Sequence, residues 1–178
     1  MGINGSKGLD FWSATVRASG GYNTGTGELL IQDEKLNYRS QGYNANGSIN
    51  MNPVAFMGLA YNLSWGQSKS YTVEWPERFP AIRRTSQNIK LNLYPVQSLT
   101  FNFSVEHQYN SAANPRYTYF SDAGVKFKYK RWDLELAANN LFNAKQYVSA
   151  TYNDISTYYY SYDLRQASVL LKARFKLK

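Results

Sequence analysis

Apolar and polar residues alternate along most of this chain with a period of two, the spacing of half-buried strands. The stretch 98–110 shows it most plainly. Leu99, Phe101, Phe103, Val105 and Tyr109 fall on one side, and Thr100, Asn102, Ser104, Glu106 and Gln108 on the other. Successive strand side chains point to opposite faces, so one face is apolar and the other hydrophilic. Near the C-terminus, Val169, Leu171, Ala173, Phe175 and Leu177 oppose Ser168, Lys172, Arg174 and Lys176, with Leu170 as a departure. Residues 123–130 set Val125, Phe127 and Tyr129 against Lys126, Lys128 and Lys130. In 55–66, Met57, Leu59, Tyr61, Leu63 and Trp65 alternate with small or polar residues, and Ile89, Leu91 and Leu93 face away from Asn88, Lys90 and Asn92. Weaker rows lie at 10–19 (Trp12, Ala14, Val16, Ala18) and 40–51 (Tyr43, Ala45, Ile49, Met51), and a further strand begins at Asp133, with Leu134 and Leu136 outward. The pattern predicts about eight antiparallel strands.

The connections predicted between them are of two kinds. Asn52-Pro53, Pro95-Val96-Gln97 and Lys130-Arg131-Trp132 read as tight bends, since Pro fixes φ and removes a ladder donor. Longer polar stretches at 20–38, 67–86, 111–117 and 152–163 read as loops. Short turns at one end and long loops at the other are the asymmetry of outer-membrane barrels. The predicted fold is all-β: an antiparallel up-and-down transmembrane barrel segment filling residues 1–178 as one incomplete domain. A soluble sandwich also alternates, but its strands are commonly about 5–6 residues, and here the second face carries Asn, Ser and Lys.

Composition strengthens this reading. Aromatics are 16% of the chain and 16 residues are Tyr, although mean hydropathy is negative. A barrel in lipid carries such rings on its outer surface and at the two headgroup levels. Trp65, Tyr94, Tyr109 and Trp132 are the expected interface girdle. No window approaches the roughly 18 apolar residues of a membrane helix. No basic-then-apolar leader stands at the N-terminus, and the chain is expected to be a fragment. The charge of +8 is spread over strands, turns and loops rather than gathered in one run, which argues against nucleic acid as a partner.

Little in the sequence suggests catalysis, and no cofactor is expected. Cys is absent, which excludes disulfides and thiolate metal sites. His107 is the single histidine; alternation puts it in the lipid-facing row, where an interface role suits it better than metal binding. Asp133 and Glu135 share a strand face, and pairing with the lysines across the turn accounts for them better than acid–base chemistry. The glycines of GYNTGTGELL belong to a polar loop with no following helix. Two loops are candidates for touching a ligand. One contributes Trp75, Arg78, Arg83 and Arg84, and the other Tyr158, Tyr159 and Tyr160. Rings and guanidiniums suit stacking on sugars or peptides and pairing with acidic groups.

Residues 132–147 read WDLELAANNLFNAKQY. This resembles the C-terminal part of TonB-dependent outer-membrane receptors, whose penultimate strand carries an Asn-Leu-Phe-Asn/Asp element followed by a Tyr; Asn140, Leu141, Phe142, Asn143 and Tyr147 match it. The ending LRQASVLLKARFKLK is similar to their last strand, opened by Arg165, and the Asn-rich style is similar to that of Bacteroidetes-type receptors. One departure is that such barrels usually finish on an aromatic residue, whereas this chain ends Leu177-Lys178. The resemblance implies a whole barrel of about 22 strands around a plug domain, in the bacterial outer membrane, that binds a nutrient and passes it inward. The substrate would be a siderophore, vitamin, glycan or peptide. Its partners would be outer-membrane lipid, the rest of the barrel and plug, and TonB, reached through an N-terminal part outside this chain. On this reading residues 1–5 are the tail of a strand and Ser6-Lys7-Gly8 its turn. The alternative is a complete barrel of about eight strands, the smallest size found, with a structural or adhesive role, in which the strand of Trp12 pairs with that of Phe175.

Overall fold

A computed structural model describes residues 1–31, 33–73, 80–153 and 156–177. Apart from one turn of 3-10 helix at Phe11–Ser13, the regular elements described are strands: β1 (Gly2–Leu9), β2 (Ala14–Ile31), β3 (Glu34–Val54), β4 (Met57–Thr72), β5 (Ile82–Val96), β6 (Leu99–Asn110), β7 (Tyr117–Tyr129), β8 (Trp132–Asn139), β9 (Gln146–Asn153), β10 (Ser156–Asp163) and β11 (Ser168–Phe175). Among the described residues, β1 to β8 and then β11 form one antiparallel meander, while β9 and β10 pair only with each other. The sheet does not close: β1 and β11 are its edges. The structure therefore does not contain the eight-stranded ring in which the Trp12 and Phe175 strands would pair.

Cross-strand register turns the alternating rows into continuous bands. Met51, Leu59, Leu91, Phe103, Ala123, Ala138 and Val169 lie on one rung that runs from β3 to β11. The next rung holds Met57, Leu93, Phe101, Val125, Leu136 and Leu171. The opposite face carries Asn46, Ser64, Ser86, Gln108 and Thr118 on one rung. There the Ser64 hydroxyl donates to Asn46 Oδ1 at 2.8 Å, and the Asn46 amide reaches Ser19 Oγ at 3.5 Å.

Among the described residues no second sheet covers the apolar bands. Phe103 is 43% exposed and Leu171 71%, and the only hydrophobic residues buried among those described are Ala14, Ile82, Ala113 and Ala150. A sandwich would bury those rows between two layers. The described residues form no such second layer.

Several boundaries differ from the sequence reading. Ser6-Lys7-Gly8 do not turn but pair with Arg17, Val16 and Thr15 inside β1, which raises the sheet from about eight strands to nine. With glycine at positions 2, 5 and 8 there is no apolar row to betray this strand. The reversal comes instead at Asp10–Ser13, where Trp12 and Ser13 take φ of 60° and 44°. The expected loop 20–38 is mostly ladder, because β2 and β3 stay paired from Thr15–Asn50 to Ile31–Glu34. Above the Tyr22–Tyr43 ring pair, with centroids 4.9 Å apart, the outer row continues as Thr24–Gln41 and Thr26–Arg39. Both faces are polar there, and alternation disappears although pairing does not. Gly27 gives Tyr38 room to lie across β2: a Cβ at that position would stand 2.5 Å from the ring.

The expected loops 67–86 and 152–163 are likewise partly strand, with β4 reaching Thr72, β5 starting at Ile82 and β9–β10 filling most of the latter. Pro53 and Pro95 sit within strands, beside register shifts between Met51 and Val54 and between Leu93 and Val96. The turns fall just after them, at 55–56 and 97–98. A bulge lets a strand absorb the donor that proline lacks.

Candidate ligand-facing surface

The polar face carries its charges in two groups. Toward the short-turn end, the rungs Lys126–Glu135–Lys172 and Lys128–Asp133–Arg174 cross β7, β8 and β11. Lys126 Nζ is 3.9 Å from Glu135, and Lys176 Nζ is 3.2 Å from Asp133. The two carboxylates are thus spaced among cations across the ladder, where opposite charges on neighbouring strands pair. Exposed pairs of this kind contribute about 0–1 kcal/mol each.

The other end of the sheet is organised by the β9–β10 hairpin, and the motif at 140–143 fastens its base. These residues form a turn after β8, not part of a strand as expected. Asn140 and Asn143 take left-handed φ of 53° and 52°, a conformation asparagine tolerates far better than bulky residues. The Asn140 amide donates to Ala144 O and to Arg165 O, both at 2.8 Å, while its Oδ1 accepts from Ala144 N at 2.8 Å. Asn140 N donates to Asp122 Oδ1 at 2.9 Å, and Asn143 Oδ1 accepts from Ala167 N at 3.2 Å. One side chain therefore ties together the strand before the hairpin, its first residues and the segment that leaves it. Leu141 and Phe142 are more than half exposed or nearly so, at 50% and 58%. Phe142 borders an apolar groove with Tyr117 and Tyr119.

From that base the hairpin lies over the loop end of β4 and β5. Asn110, nearly buried, donates from Nδ2 to Ala150 O at 3.0 Å. The Tyr152 hydroxyl donates to Pro80 O. Burial first, and then the neighbouring Tyr159, raise the Tyr152 pKa above its usual 10.0, against a smaller lowering effect of Thr157. Tyr147 meets Phe120 on one side (6.4 Å between centroids) and Tyr162 on the other (6.5 Å). Phe120 is on the polar face, opposite Glu106, so Tyr147 marks the side of the sheet over which the hairpin folds.

Under the hairpin is a cleft of about 340 Å³ lined by Arg84, Gln108, Thr118, Arg116, Tyr147 and Ser149 among others. Arg84 was expected in a ligand-touching loop, and β5 places it here, opposite Gly66 and Asn110. Arg83, its neighbour, points to the other face, where its Nε donates to Gln67 Oε1 at 3.2 Å. Tyr158, Tyr159 and Tyr160 stand exposed on β10. Trp75 and Arg78 lie outside the described residues. Neither family models, nor curated proteins, nor solved structures give a match to this chain.

The aromatic residues sort by face and level. Trp65 and Tyr109 lie on one outer rung with Ala45, Thr85 and Tyr117. His107 sits one rung inward of that row, its ring 4.8 Å from Tyr119 and 5.9 Å from Tyr117, with Nε2 buried and unbonded. At the short-turn end Trp132 packs against Phe175, 4.9 Å between centroids. Tyr94 takes the parity of Asn92, on the polar face, and its ring edge lies 4.0 Å from where a Cβ on Gly58 would stand. Among the described residues no three His, Cys, Asp or Glu side chains gather as a metal site. Sequence reasoning missed Arg116 and Asn110; the hairpin partner of Asn110, Ala150, is 40 residues away, so no local pattern signals that contact.

Proposed function

We propose that this sheet is a stretch of bacterial outer-membrane barrel wall, belonging to a TonB-dependent receptor that takes up a nutrient. The observation that carries the reading is the sorting of faces. A single-layer sheet presents an unbroken apolar band on one side and Asn, Ser and charged rungs on the other. Lipid favours the first and a hydrated lumen the second. β5 and β6, at 15 and 12 residues, exceed the about 9–11 a tilted strand needs to cross a bilayer. The open edges of β1 and β11 support further strands on either side, since lipid cannot satisfy unpaired backbone groups. The 140–147 element supports the receptor assignment, with the plug, TonB and outer-membrane lipid as partners. The protein on this reading binds and passes a ligand and is no enzyme.

This chain has no Cys, so a Cys introduced here is unique within it, and any Cys elsewhere in the protein is first replaced by Ser. Single Leu91→Cys, Phe103→Cys, Asn88→Cys and Ser104→Cys variants of the full-length protein are spin-labelled in outer-membrane vesicles. Labels at 91 and 103 should relax with dissolved oxygen, and labels at 88 and 104 with a water-soluble nickel complex. Equal water access at all four positions would defeat the membrane assignment. Uptake that persists in cells lacking TonB would defeat the receptor assignment alone.

A further inference from the structure

We infer that the cleft beneath the β9–β10 hairpin is an oxyanion-binding subsite, with Arg84 and Arg116 as its cationic jaws, for a ligand bearing a carboxylate or phosphate group. This deepens the receptor reading and rests on the polar face being the water side.

Three observations converge. First, two arginines from different elements line one concavity: Arg84 from β5, and Arg116 from the segment before β7. Among the described residues neither has a carboxylate within 4.0 Å. Glu106, the nearest acid along β6, instead accepts from the Gln108 amide. Two like charges facing one space, with no anion supplied by the described protein, favour an incoming one. Guanidinium forks fit planar carboxylate or phosphate oxygens with paired, charge-assisted hydrogen bonds.

Second, the remaining lining suits the rest of such a molecule. Gln108, Thr118 and Ser149 offer neutral donors, and Tyr147 offers a ring. The floor opposite Arg84 is Gly66, where a Cβ would meet nothing closer than the Tyr43 carbonyl at 3.6 Å. The cleft volume of about 340 Å³ falls at the lower end of small-molecule pockets, which run from about 300 to 1,000 Å³.

Third, the walls are built rather than incidental. Asn110, next to Arg84 on the same rung, is held by Ala150 O above and by Ala112 N beside it. Its own backbone N donates to Arg116 O at 2.9 Å. The hairpin contact and the Arg116 backbone are thus fixed by one residue, which sets the spacing of the jaws.

The test uses the full-length protein in detergent, titrated with citrate in one arm and inorganic pyrophosphate in the other. The heat of binding, measured by titration calorimetry, is the readout. Saturable binding of either probe is expected, weakened about tenfold by Arg84→Gln or Arg116→Gln and further by both together. Preference for citrate identifies a carboxylate site, and preference for pyrophosphate a phosphate site. Lys172→Gln, on the distant charged rungs, should leave binding unchanged. No binding of either probe, equal binding by the double Gln variant, or equal loss in Lys172→Gln would overturn the inference. Should the double variant fail to fold, the Arg84→Lys, Arg116→Lys pair decides instead: it keeps the charge but loses the forks, so binding must drop several-fold. Failure here with the 91 and 103 labels still in lipid removes only the subsite.

Discussion

Asn140 shows how a side chain of ordinary polarity comes to fix a large structure. It takes a left-handed φ and makes three side-chain hydrogen bonds to backbone groups, each worth about 1 kcal/mol net. Replacing it with Ala should cost about 3–4 kcal/mol, adding roughly 1 kcal/mol for an L-residue held left-handed. Asn140→Gly, which loses the same bonds without that strain, should be the milder change by about 1 kcal/mol. Urea unfolding of the detergent-folded protein reads both, and a wild-type midpoint for Asn140→Ala would deny the clasp its role. The element was legible as a motif, but its work was not. Two of the residues it ties, Asp122 and Arg165, are brought to it only by the meander and the returning hairpin.

At the level of elements, strands were legible wherever the two faces meet different surroundings. β6 and β7 announce themselves through Phe101, Phe103 and Val125. β1 and the upper parts of β2 and β3 do not, because glycines or polar residues stand on both faces while backbone pairing carries on. The β9–β10 hairpin is the opposite case: its tyrosines were visible, but not the surface it covers. One of its attachments uses a protonated phenol. Tyr152 donates to Pro80 O, and its folded pKa is raised, by burial before other causes, above the 10.0 of an unfolded tyrosine. A raised acid pKa means the folded form holds its proton longer. The contribution is therefore full below about pH 10 and fades as pH climbs through the higher folded value. Protection of the Ala150 and Thr151 amides, relative to their intrinsic exchange rates, should fall over that interval, and Tyr152→Phe should remove that pH-dependent fall. An unchanged profile in Tyr152→Phe would assign the pH effect elsewhere.

For the molecule as a whole, protection should follow position in the sheet order. The amides of β4, β5 and β6 have ladder partners on both sides, and exchange from them is expected to be slow throughout. On β1 and β11 only every other amide faces a neighbour, so protection should alternate by residue. Continuous protection along both edges in the isolated chain would show that they meet or pair with another strand. A further consequence follows from the pins at 140 and 143. Because the hairpin is anchored at its root and not through the ladder of the wall, the stretch between Gln146 and Asp163 can change length or wording without shifting the rungs of β8 and β11. Evolution is free to redraft the mouth of this protein while its masonry stays as laid.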